Sequence, residues 1–116
     1  MQYMLLLYAS EEECQRASAA ECDAVTRDRR RLLADLAATG CRPDYADLEH
    51  TGAATTLRVR GGRPLLCDGP FAETREQLLG VLLVDARDLD EAIAIAGRTP
   101  EARLGSVEIR PVREAC

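Results

Sequence analysis

Three side chains in this sequence have the means to do chemistry near neutral pH: the Asp68 carboxylate, the single imidazole His50 and the Arg58 guanidinium. Asp68 opens the run Asp68-Gly69-Pro70-Phe71, followed at once by Ala72-Glu73-Thr74-Arg75-Glu76. Gly permits positive φ, Pro fixes its own φ, and Asp can accept from nearby amides. The run is therefore a shaped turn that displays an acid beside the only phenylalanine, Phe71. Asp68 is a candidate general base or orienting carboxylate, and equally an Asx-turn residue bonding the amides of Gly69 or Phe71. His50 alone titrates near neutrality without help. Paired with Asp68 it is a general base whose tautomer the carboxylate fixes; unpaired it is a solvated loop residue. Arg58 can clamp an anionic ligand bidentately or simply cover a strand surface. Phe71 and Tyr3 are the candidate aromatic contacts for a ligand, with core or interface packing the other reading of Tyr3.

Other chemistries lack their residues. Gly61-Gly62 reads as a hairpin turn, not a phosphate cradle, and no nucleophile elbow occurs. The five cysteines (Cys14, Cys22, Cys41, Cys67, Cys116) form no Cys-x-x-Cys pair and have only His50 as company, so free thiols are expected. No cofactor and no metal are expected. A net charge of −5 gives no electrostatic footprint for DNA or RNA. The densest basic cluster, Arg27 to Arg31, is interrupted by Asp28 and reads as a solvated helix face. The first residues lack a basic n-region, and no segment approaches the roughly 20 apolar residues that span a bilayer. A cytoplasmic location without membrane contact is the expectation.

The elements that must position these side chains are legible as one domain over residues 1–116. Tyr3 to Tyr8 and Leu78 to Val84 are continuously apolar strands, the second interrupted only by Gly80. Ser18-Ala19-Ala20-Glu21 is a capping-box signal for a helix with Cys22, Val25, Leu32, Leu33 and Leu36 on its stripe, stopped by Gly40; Arg29 interrupts that stripe. Cys41 to Thr51 reads as an extended connection with at most a short strand. Ala54 to Arg60 and Arg63 to Asp68 form a hairpin about Gly61-Gly62 in which Leu57 opposes Leu66 and Thr55 opposes Asp68. That register puts Asp68 on the face of Leu57, Val59 and Leu66. Asp88 caps a second helix with Glu91 reciprocating and Leu89, Ala92, Ile93 and Ala96 as its buried stripe; Ser106 to Val112 closes the chain as a strand. The order strand, helix, hairpin, strand, helix, strand predicts an α+β fold: a ferredoxin-like antiparallel sheet with two helices on one face. The other face then exposes two apolar strands, and homodimerisation through it is the expected remedy.

Taken together, Tyr3-Met4-Leu5-Leu6, Ala54-Thr55-Thr56-Leu57-Arg58, Asp68 to Leu78, Asp88-Leu89-Asp90-Glu91-Ala92 and Val107 to Val112 resemble the DGPF-domain proteins of the YCII-related family. The resemblance covers nearly the whole chain. It implies a dimeric α/β barrel and a protein of undefined activity: a small-molecule-binding or regulatory accessory protein, linked in many relatives to an extracytoplasmic-function sigma factor. It also implies an alternative, a small lyase or dehydrochlorinase-like enzyme with a His–Asp pair, here His50 and Asp68. The expected partners are a second copy, a small-molecule ligand and a sigma factor.

Overall fold

The two continuously apolar runs lie side by side at the centre of one sheet. In the computed structural model, which describes residues 1–114, β1 (Gln2–Ala9) pairs antiparallel with β5 (Gln77–Asp85), Leu5 opposite Leu82. Edge strands β2 (Asp44–Asp47) and β6 (Ser106–Pro111) complete the order β2-β5-β1-β6. Strands β3 (Thr55–Arg60) and β4 (Arg63–Asp68) form a separate two-stranded sheet. The helices are α1 (Glu11–Gln15), α2 (Ala19–Ala38), α3 (Leu89–Ala96) and α4 (Glu101–Leu104). This is the expected α+β, ferredoxin-like arrangement, with α1, α4 and a 3-10 turn at Thr51–Ala53 added to it. Cys116 lies outside the described residues.

Strand alternation assigns the two sheet faces. Tyr3, Leu5, Leu7, Leu82 and Val84 point to one side and are buried against Leu32 and Leu36 of α2 and Ala92, Ile95 and Ala96 of α3. Burying each of those leucines is worth about 2 kcal/mol, so this layer is the main source of stability. Met4, Leu6, Val81 and Leu83 alternate to the other side, outside the helix-covered core, and among the described residues no helix packs there. The smallest dimension, 18 Å, is that of one sheet and one helix layer.

Local sequence accounts for most element ends. The Ser18–Glu21 capping box is present in both directions. Gly40, at φ 80°, takes the left-handed position after α2. The Asp88 side chain accepts from the Glu91 amide as expected, but Glu91 reaches back to the Arg87 amide and guanidinium, one residue before the cap. The stripe expected for α3 is rotated: Ala92, Ile95 and Ala96 are buried, whereas Leu89 and Ile93 are half exposed. Small alanines at 92 and 96 let the helix sit close to the sheet, and the stripe continues into buried Thr99 and Pro100. Cys22, expected on the stripe of α2, is exposed; only the C-terminal half of that helix is buried over the sheet.

Arg29 interrupts the apolar stripe of α2 because it has a partner there. Its two terminal nitrogens donate to the two carboxylate oxygens of Glu101 at 2.7 and 2.6 Å, and its guanidinium lies 4.8 Å from the centre of the Tyr45 ring. Burial works against the Arg29 charge, but the hydrogen bonds and charge of Glu101 hold its pKa above the ordinary value. The pair ties α2 to α4 and to β2.

Among the described residues no helix is long and apolar enough to cross a membrane.

Candidate functional site

The hairpin has the predicted register throughout, with Leu57 opposite Leu66, Thr55 opposite Asp68 and Arg60 opposite Arg63. It is an arm rather than part of the main sheet: every side chain in β3 and β4 except Thr56 is exposed. The radius of gyration is 16.2 Å, against about 13 Å for a compact chain of this length, as a projecting arm requires. Leu57, Val59, Pro64 and Leu66 share one face with Asp68; Arg58, Arg60, Arg63 and Leu65 share the other.

The turn after β4 is held by its backbone. Gly69 stands at φ 92°, a conformation that a side chain would strain. Its amide donates to the Ala54 carbonyl at 2.7 Å, and its carbonyl accepts from the Thr56 hydroxyl at 2.8 Å. The Asp68 carboxylate takes no part: among the described residues it has no hydrogen bond or ion pair, so the Asx-turn alternative is not realised. Phe71 is 78% exposed. The turn thus displays a free carboxylate and a bare aromatic ring at the base of the arm.

The other candidates are distributed as follows. Arg58 lies on the opposite face of the arm from Asp68, so the two do not converge within one chain. Tyr3 is 4% exposed in the core, with its hydroxyl near Met1 Sδ, on the helix-covered side of the sheet. His50 stands just before the 3-10 turn. Its Nδ1 is 3.3 Å from Gln15 Nε2 and 3.8 Å from Glu11 Oε2, and no bond joins it to Asp68. The ring is more than half exposed, and the carboxylate within 4 Å of it is that of Glu11, not Asp68.

A polar cluster around Glu11 is the part of this region that sequence reasoning missed. Glu11 Oε1 accepts from the Thr51 hydroxyl at 2.6 Å, Glu11 Oε2 from the Thr51 amide at 2.8 Å, and the Glu11 amide donates to Gln77 Oε1 at 2.9 Å. Gln77 in turn donates to the Thr74 carbonyl, and Glu76 accepts from the Ser106 hydroxyl. These bonds fix the acidic run after Phe71 against α1 and β6. An open groove of about 710 Å3 lies there, lined by Glu11, Gln15, Arg16, Thr74, Arg75 and Gln77 among others. The signal was available in Ser10-Glu11-Glu12-Glu13, a helix-start pattern whose Ser10 hydroxyl accepts from the Glu13 amide.

The family model of the YCII-related domain matches residues 1–115. The chain belongs to the YCII-related family. A relative from Rhizobium meliloti (strain 1021), the uncharacterized protein R00369, is 40% identical over 114 residues, covering 97% of this chain and 92% of that protein. For this YCII-related chain neither comparison names a reaction or a ligand. Among the described residues no group of three or more His, Cys, Asp or Glu side chains is placed to hold a metal ion. Partial burial, then the Glu101 carboxylate, push the Cys14 thiol above its ordinary pKa, which makes it a poor nucleophile.

Proposed function

We propose that this YCII-related protein is a cytoplasmic homodimer that binds a small molecule beside Asp68 and serves as a regulatory or accessory protein. The observation that carries the reading is the Asp68–Phe71 turn: its backbone is fixed by two hydrogen bonds while, among the described residues, its carboxylate has no hydrogen-bond or ion-pair partner and its ring is exposed. A free carboxylate next to an aromatic ring suits a ligand with a hydrogen-bond donor or a positive charge on an apolar body. Dimerisation is supported by the apolar side of the β1–β5 pair that no helix covers. Action beside an extracytoplasmic-function sigma factor is supported by the DGPF-type motif Asp68-Gly69-Pro70-Phe71.

The test is a thermal-shift panel of small amines, polyols and carboxylic acids run on the wild-type protein and on Asp68→Asn and Phe71→Ala. At least one compound is expected to raise the wild-type Tm and to lose most of that shift in both variants. A compound that shifts all three proteins equally binds elsewhere. A panel with no shift, together with retention of a purified sigma factor on the immobilised protein, replaces the ligand reading with that of a protein-interaction module. The lyase reading with His50 and Asp68 has weaker support, because the carboxylate beside His50 is Glu11 and its ring is held by Gln15.

A further inference from the structure

The arm carries a large share of the exposed apolar side chains of this chain. Leu57, Val59 and Leu66 share one face of it and are 58%, 55% and 70% exposed. With Phe71 at the base they present about 500 Å2, toward the upper end of the roughly 300–600 Å2 of the largest patch on a monomer, and such patches often mark interaction sites. The uncovered side of the main sheet presents Met4, Leu6, Val81 and Leu83, which are only half buried. A stable interface needs about 800 Å2 from each partner. The half-buried sheet side leaves less of each apolar side chain exposed than the arm does.

Charge points to the same occupant. Between Ala54 and Gly69 the arm carries Arg58, Arg60 and Arg63 against Asp68 alone, in a chain of net charge −5. The arm is therefore a basic element and the body a strongly acidic one, so the arm of one copy is attracted to the body of another. Asp44 and Glu108 stand on the uncovered side at the two edge strands, flanking the apolar centre, with Arg110 paired to Glu108.

We infer that β3–β4 is an exchanged arm, whose Leu57–Val59–Leu66 face closes over the uncovered β1–β5 surface of a second copy. This rests on the homodimer reading above and adds to it. Asp68 shares the apolar face of the arm, so the exchange carries the Asp68 carboxylate of one copy into the cleft against the sheet of the other. The ligand site is then built by two chains and is incomplete in one. The Arg58 face then turns outward, away from the covered sheet.

The experiment is sedimentation equilibrium on the wild-type protein and on the double variant Leu57→Asp/Leu66→Asp. It is paired with isotope-filtered NOE spectra of a mixed sample, half 13C-labelled and half unlabelled. Wild type is expected at twice 12.7 kDa. The variant should dissociate at least ~100-fold more readily, as expected when anchors at an interface centre become charged. Intermolecular NOEs should join Leu57 or Leu66 methyls to those of Met4, Leu6 or Leu83. A wild-type dimer without those NOEs, whose affinity is unchanged in the double variant, overturns the exchanged arm and leaves the homodimer standing. A wild-type monomer overturns both and frees the arm for a different partner. Leu57 and Leu66 are exposed, so the variant should keep the wild-type circular dichroism spectrum; if it does not fold, the NOEs on the unmodified chain decide.

Discussion

Replacing Glu101 by Ala should cost this protein a large part of its stability, and the structure gives the size. The Arg29 and Glu101 side chains are only 12% and 6% exposed, and both pairs of their terminal atoms are within 2.7 Å. Removing the carboxylate leaves a guanidinium out of water with only the Tyr45 ring at 4.8 Å for company. Breaking a buried ion pair from one side costs about 3–5 kcal/mol. Arg29 keeps a little solvent contact and the cation–π interaction, so the lower end applies, about 3 kcal/mol. For a chain of this length that is a fall in Tm of roughly 10 °C. The double variant Arg29→Met/Glu101→Leu removes both charges and fills the space, and should lie within about 1 kcal/mol of wild type. The assay is urea unfolding followed by far-UV circular dichroism at one fixed protein concentration, since association adds to apparent stability. A Glu101→Ala loss below about 0.5 kcal/mol, or a double variant no better than the single, would refute the view that this pair ties α2 to α4 as a compensated buried charge.

Three further outcomes are expected. Gly105→Ala should lower Tm sharply, because a Cβ there would lie 2.1 Å from the Tyr8 carbonyl oxygen and 2.8 Å from Ala9 Cα, both backbone; a Tm within a degree or so of wild type would mean β1 and β6 can separate at little cost. Cys14 should react with iodoacetamide at pH 8 more slowly than a cysteine in an unstructured peptide, since its thiol is held above the ordinary 9.0 by partial burial and then by Glu101; mass spectrometry of timed digests measures it, and a faster rate contradicts the assignment. Glu91 is held below its ordinary 4.5, first by the hydrogen bond from the Arg87 side chain and then by the Arg87 amide. Its folded value lies below its unfolded one, so its contribution is present above the unfolded value and is lost as pH falls through the folded one. The Tm gap between wild type and Glu91→Gln should therefore be open at pH 7 and narrow as pH falls below the unfolded 4.5.

The parts of the fold that repeat a local signal were legible in the sequence. Two apolar runs became the central strands, Ser18 and Asp88 capped their helices, and Gly61-Gly62 fixed the hairpin register to the residue. What escaped depended on partners distant along the chain. Arg29 reads as a flaw in its helix until Glu101, 72 residues away, is brought to it. Leu89 and Ile93 fit an apolar stripe as well as Ile95 does, and only the packing of Ala92 and Ala96 on the sheet chooses between the two rotations. The same limit holds for the site. The shape of the Asp68–Phe71 turn was readable from Gly69 and Pro70. That His50 stands with Glu11 and Gln15 was not, because α1 approaches it only through Thr51 and Gln77 contacts. Nor does alternation within a hairpin say whether it joins the main sheet or projects from it.

The central claim is that this YCII-related chain acts as a pair with its cleft between two copies, and multi-angle light scattering of the unmodified protein tests it most directly. The account predicts a mass of twice 12.7 kDa that persists on dilution to the low micromolar range, as an interface near the standard size should give. A constant mass of 12.7 kDa at every concentration would contradict it.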